Sequence, residues 1–259
     1  MHIETLTVTA TAAATTGTAA TPIGTDSLVI KNGRGAIDII ACWQTNQTAG
    51  FGQIAFPTAH DTTRGYRAGT AIGVNPAMLA MGVRMKLTAQ ETIAPVIGAT
   101  AVAGDVEQMS MLIRYADFPG LNARMISPSQ LENQQAKLTT IENSLASTAG
   151  PSYGTPETFV ADSDLLLANR DYAILGMSSR TLVHQIYALT PDAGNVRFSC
   201  PGVLRQEITS QWFVLLSRAH GEALIPVFNS GNKNQCFVGV STDENAGTFV
   251  VTLYLALLR

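Results

Sequence analysis

Short β-prone runs separated by Gly, Pro and Asn turns fill almost the whole of this chain, and they come twice in the same order. In the first half the runs are 6–9, 27–30, 36–43 and 109–115; in the second they are 172–177, 182–189, 196–199, 211–217, 224–228, 236–240 and 248–257. β-Branched and aromatic residues at this spacing, with turns such as Pro191-Asp192-Ala193-Gly194-Asn195, predict antiparallel sandwiches and argue against βαβ units, which need helical segments between strands. The repeat can be followed residue by residue. Leu28-Val29-Ile30 with Asn32 and Arg34 behind it matches Leu165-Leu166-Leu167 with Asn169 and Arg170 behind it. Gln53-Ile54 matches Gln185-Ile186, each ahead of an Asp-containing turn and then a glycine, Gly69 or Gly202, and each half closes on a long apolar run. The matches keep their order, and the small drift in their offset fits loop insertions in duplicated domains. An eight-stranded jelly roll needs roughly 100 to 130 residues. The 259 residues therefore predict an all-β protein of two tandem antiparallel jelly-roll sandwiches.

One stretch departs from the strand period. Ser127-Pro128-Ser129-Gln130 carries a capping serine, proline at the first helical position and glutamine three residues after the cap. Leu131, Leu138, Ile141 and Leu145 follow at helical spacing, and Ala149-Gly150-Pro151 supplies a stop. The pattern reads as one helix over 128–146 between the halves. Its stripe packs either on its own domain or, as a candidate subunit-interface helix, on a neighbouring copy. The expected organisation is an N-terminal Thr/Ala-rich arm over 1–25, a first jelly roll over 26–126, helix and linker over 127–156, and a second jelly roll over 157–259. The first segment admits two readings, a mobile arm that orders against a neighbour or an ordinary first strand at 6–9 followed by a loop. The run 248–258 is too apolar for an open sheet edge and is expected as a central strand.

Charge then bears on what surrounds these sandwiches. Only 14% of the residues are charged, against about a quarter in an ordinary soluble domain. Of the 16 basic residues, four are lysines (Lys31, Lys86, Lys137, Lys233), the type depleted from interfaces where arginine is enriched. Two small sandwiches expose more surface than one globule of the same length, so this scarcity predicts extensive self-contact. A net charge of -3 without any run of Lys and Arg argues against a sequence-specific nucleic-acid binder. The stretch 5–25 is too poor in Leu, Ile and Val to span a membrane, and Met1-His2-Ile3-Glu4 lacks the basic start of a signal peptide. The expectation is a cytoplasmic chain that starts at or near Met1.

In its paired Asn-Arg segments (Asn32 and Arg34, Asn169 and Arg170), its helix between the halves and its size, the chain resembles the double jelly-roll major capsid proteins of tailless icosahedral viruses and phages over residues 26–259. The resemblance is one of architecture and carries no diagnostic motif. It implies a homotrimer whose six jelly rolls make a pseudo-hexagonal capsomer, and an icosahedral shell built from such capsomers. It also implies a place in the virion after assembly in the host cytoplasm, and contacts with penton or minor capsid proteins and an internal membrane. The alternative is a β-sandwich binding module, either a phage fibre or decoration protein or a carbohydrate-binding protein. Trp43 and Trp212 both lie in strand-like runs, which weakens the sugar-binding version.

Local signatures of chemistry are weak throughout. His2, His60, His184 and His220 are scattered, and no Gly-x-Ser-x-Gly elbow occurs. His60-Asp61 and His184 read as loop and strand-face residues rather than as a base with its orienter. Cys42, Cys200 and Cys236 lie far apart and read as buried thiols. Gly33-Arg34-Gly35 lacks the third glycine and the helix of a phosphate cradle. Asp162-Ser163-Asp164 and Asp243-Glu244-Asn245 lack the remainder of a calcium loop, and Arg64-Gly65-Tyr66-Arg67 reads as a surface or interface loop. No catalytic, cofactor-binding or metal residue is expected, and no cofactor.

Overall fold

The computed structural model describes residues 1–12, 17–24, 29, 36–45, 50–55, 65–70, 81–88, 90–99, 105–116, 123–147, 152–159, 165–181, 183–202, 206–242 and 247–259. In chain order the first part forms β1 (His2–Ala12), β2 (Thr18–Ala19), β3 (Thr21–Pro22), β4 (Ala36–Thr45), β5 (Gly50–Ala55), β6 (Tyr66–Thr70), β7 (Met85–Lys86), β8 (Ala94–Ala99) and β9 (Asp105–Tyr115). After β10 (Met125–Ile126) and α1 (Pro128–Gln134) come β11 (Gln135–Ser147), β12 (Ser152–Tyr153), β13 (Glu157–Thr158), β14 (Asp171–Ser179), β15 (Gln185–Leu189) and β16 (Phe198–Pro201). The helices α2 (Gln206–Thr209) and α3 (Trp212–His220) precede β17 (Ile225–Asn229), β18 (Phe237–Thr242) and β19 (Gly247–Leu258).

The pairing of these strands is antiparallel and follows one plan twice. The first repeat has the sheets β3-β1-β9-β4-β7 and β2-β8-β5-β6; the second has β10-β17-β14-β19-β11 and β12-β18-β15-β16. With the short additions β3, β10 and β13 set aside, each repeat has eight strands. Numbered in chain order, they lie 1-8-3-6 in one sheet and 2-7-4-5 in the other. That is the strand order of a jelly roll, and the protein is two of them in tandem.

Register carries the duplication to single residues. β4 is bulged between Ile39 and Ala41, opposite Ile113 and Leu112 of β9, and β14 is bulged between Ile174 and Gly176, opposite Leu255 and Tyr254 of β19. With the bulges as anchors, Ile3 opposite Arg114 takes the place of Leu138 opposite Ala256, and Thr7 opposite Ser110 takes the place of Glu142 opposite Thr252. One described residue of each matched triplet is held at a like place. Val29 bridges Thr92 in the connection before β8, while Ser230, in the connection before β18, donates from Oγ to the Leu167 carbonyl.

Period-two alternation builds both cores. Leu6, Val8, Met109, Met111 and Ile113 meet Ile54 and Ile97 across the first sandwich, and Ile141, Ile174, Leu253 and Leu255 are buried with Ile186, Phe198, Val238 and Val240 in the second. Each such side chain contributes about 1.5 to 3 kcal/mol through burial. β19 lies between β14 and β11, the central position expected for the apolar run at the end of the chain.

Four expectations need correction. The segment at residues 1–25 contains no free arm in its described part: β1 pairs with β9 from His2 to Ala12 and buries Ile3, Leu6 and Val8. The capping box at Ser127 and Gln130 is present, but the helix between the halves ends at Gln134. From Gln135 onward the chain pairs with β19, because β-branched Thr139, Thr140 and Ile141 gain more from that long apolar partner than from another helical turn. Since β11 and β12 belong to the second jelly roll, that repeat begins near residue 135 and not at 157. The run 211–217 is the start of α3, which ends at Gly221 in a left-handed conformation, φ 67°; a short continuous apolar run reads equally as strand or helix.

Candidate functional site

Among the described residues, buried polar side chains gather at the seam between the repeats. It forms because one face of the β1-β9-β4 sheet, opposite the face that fills the first core, alternates into polar residues. Row by row the face presents Ile3, Arg114 and Asp38; then Thr5, Leu112 and Ala41; then Thr7, Ser110 and Trp43. The second repeat covers it. Gln185 Nε2 donates to Thr7 Oγ1 at 2.6 Å, Ser241 Oγ donates to Gln108 Oε1 at 2.7 Å, and Ser110 Oγ lies 3.2 Å from His184 Nε2. The Thr5 N–H donates to the Arg197 carbonyl at 2.6 Å. Ile3, Ile40, Trp43 and Leu112 join the apolar core of the second repeat, and Trp43 meets Trp212 of α3 edge to face at 5.9 Å.

An ionic cluster closes one end of the seam. Arg114 binds Asp38 through Nε at 2.8 Å and Nη2 at 2.5 Å, and also contacts Glu222. Arg84 reaches Glu222 at 3.0 Å and donates to His220 Nδ1 at 3.2 Å and to the His220 carbonyl at 2.7 Å. His220 Nε2 lies 3.1 Å from the Ile40 carbonyl, so the ring donates there and accepts from Arg84, which requires the neutral form. Burial, with Arg84 and Arg114 adding repulsion, holds its pKa below the ordinary value. Burial alone lowers His184 to about 3. It lowers Arg197 to about 10, against the pull of Glu4, and raises Tyr187 to about 12. Ser110 and His184 are sealed from solvent, so their contact acts as a fastening and offers a substrate no path. Among the described residues no three His, Cys, Asp or Glu stand together as a metal set.

The second repeat has the corresponding sheet face, and there part of it is open. A groove of about 530 Å³ runs along it, lined by Leu138, Thr140, Leu175, Gln211, Tyr254 and Leu255. α2 covers the β14 side, where the carbonyl of Thr209 lies against Gly176. The Tyr254 hydroxyl is held by Gln206 and, at 3.0 Å, by Ser178. Glu142 accepts from Arg180 at 2.5 Å and from Thr252 at 3.3 Å.

The four residues expected as one interface stripe separate accordingly. Leu131 is buried on α1, Ile141 and Leu145 point into the second core from β11, and Leu138 alone stands out, 57% exposed on the opposite face. Tyr66 and Arg67 lie on β6, where Arg67 stacks over Phe51 at 4.1 Å and donates to Gln53 Oε1 at 2.7 Å. All three cysteines are free and buried. His60, Asp61, Arg64 and the segments 33–35, 162–164 and 243–245 lie outside the described residues.

Among known proteins, no family model and no curated protein matches this chain. Two solved structures align along its length. The PBSX exported protein XepA is 12% identical with TM-score 0.32, covering 98% of this chain and 86% of its own. The major capsid protein P2 from Bacteriophage PM2 is 10% identical with TM-score 0.22, covering 99% and 98%. Both scores are low, and the fold assignment rests on strand order and register. Among the described residues no helix is long and apolar enough to cross a membrane.

Proposed function

We propose that this chain is a structural protein of a phage or virus particle: a major capsid subunit that forms homotrimers and, from them, an icosahedral shell. The observation that carries the reading is the duplication. One chain holds the same jelly roll twice, fastened by a buried seam into a single block, so three copies supply six near-equivalent units to a pseudo-hexagonal tile. The scarcity of charge supports it, since surface that closes against other copies does not need charge to stay in solution. In this reading the working site is the outer surface of the block and no reaction is catalysed. Partners are other copies of the chain, then penton or minor capsid proteins and an internal membrane, with the virion as destination after assembly in the host cytoplasm. Electron microscopy of the concentrated protein tests the proposal. Closed shells or hexagonal sheets support it, and dispersed single blocks that bind glycans support the binding-module alternative instead.

A further inference from the structure

The seam is a template for a second contact. Within the chain, the five-stranded face of the first repeat is covered by the four-stranded sheet of the second, through β15 and β18. The other two equivalent faces have no such partner among the described residues. On the five-stranded side, Ile3 is 0% exposed because the second repeat covers it, while its equivalent Leu138 is 57% exposed. The helices leave the same part of each face to be filled. α3 sits over the β4 side of the first through Trp212 and His220, and α2 sits over the β14 side of the second. What the seam fills in the first repeat is the β1 and β9 part, and what stands open in the second is β11 and β19.

The residues that would meet have changed in matching pairs. In the seam, Ser241 bonds to Gln108. By register their equivalents are Val96 and Val250, both half-buried, so a polar pair becomes an apolar pair. Gln185 bonds to Thr7 in the seam. The equivalents are Gln53, which carries the exposed guanidinium of Arg67 on its side-chain oxygen, and Glu142, which within its own chain accepts from Arg180 and Thr252, so a neutral pair gives way to one with a cation on one side and a carboxylate on the other.

We propose that the β11-β19 face of one copy binds the β5-β6-β8 face of a second copy, repeating the seam between chains with Leu138 buried and Arg67 against Glu142. The contact joins unlike surfaces, so it propagates head to tail and closes a ring where the rotation permits. It rests on the reading of the chain as a self-assembling subunit and names the surfaces used.

Two variants of the full chain test it by sedimentation and disulfide trapping. Leu138→Asp alters an exposed position, so circular dichroism should be unchanged while self-association weakens about tenfold or more. The pair Arg67→Cys with Glu142→Cys should cross-link into species beyond a dimer, and neither single variant should. Wild-type protein that associates while Leu138→Asp associates equally well, or a dimer cross-linked through Glu142→Cys alone, would overturn the assignment of faces and leave self-assembly standing. Wild-type protein that remains monomeric would overturn the subunit reading itself.

Discussion

Arg114 and Asp38 face each other as a two-pronged ion pair, both side chains nearly sealed, at the end of the seam where the repeats meet. A buried charge that loses its partner is costly, about 3 to 5 kcal/mol where nothing else pairs with it. Glu222 also touches Arg114 and limits the damage. Asp38→Ala should therefore destabilise the protein by about 2 to 3 kcal/mol, read as a lower denaturant midpoint. Replacing Asp38 and Arg114 together with apolar residues of similar size should recover most of the loss.

His184 makes the seam sensitive to acid. Its folded pKa is near 3 because burial penalises the charged ring, whereas the unfolded chain takes up the proton near 6.5. Between those values the unfolded state binds more protons, so stability falls as pH drops from 6.5 toward 3. At pH 5 the loss amounts to about 2 kcal/mol. His220 is lowered too and adds a contribution of the same sign. Urea midpoints measured across this range should fall with acid, and His184→Gln should flatten the slope.

The cysteines should be silent in the folded protein. Burial raises all three thiols, Cys236 to about 12, and leaves little thiolate at neutral pH. Iodoacetamide at pH 8 should modify none of them in native protein within the time that labels all three in urea, as read by mass spectrometry. Stoichiometric labelling of the native chain would contradict the packing.

Gly176 marks where helix and sheet touch. A Cβ there would collide with the Thr209 carbonyl and the Ser210 backbone. Gly176→Ala should displace α2 at a cost of about 1 to 3 kcal/mol, detected by thermal or chemical unfolding. At the equivalent position of the first repeat stands Ala41, in a face covered by the other repeat.

The fold was largely legible because period-two patterning and ordered turn residues reveal strands, and because Gln53-Ile54 and Gln185-Ile186 align two halves that share a topology. Helix and strand patterns coincide where a run is short. The cap at Ser127 is real, but Leu138, Ile141 and Leu145 satisfy a helical count by coincidence, and only the long β19 alongside decides for a strand. The seam was not legible. Thr5, Thr7, Gln108 and Ser110 alternate with apolar residues as they would on a face open to water, and nothing local shows that a second repeat covers them. The duplication places the same two kinds of sheet face in one chain twice, but only the folded chain shows which of them meet.

The Thr-rich start gives a further prediction. Because β1 pairs along its whole length with β9 and supplies Ile3, Leu6 and Val8 to the interior, removal of residues 1–24 should abolish cooperative unfolding. A truncated chain that folds and assembles normally would restore the arm.

Native mass spectrometry of the intact chain at rising concentration tests the central claim most directly. The subunit reading predicts a dominant species at three times the 27.4 kDa chain mass, giving way to much larger particles. A single species at the mass of one chain at every concentration would contradict it.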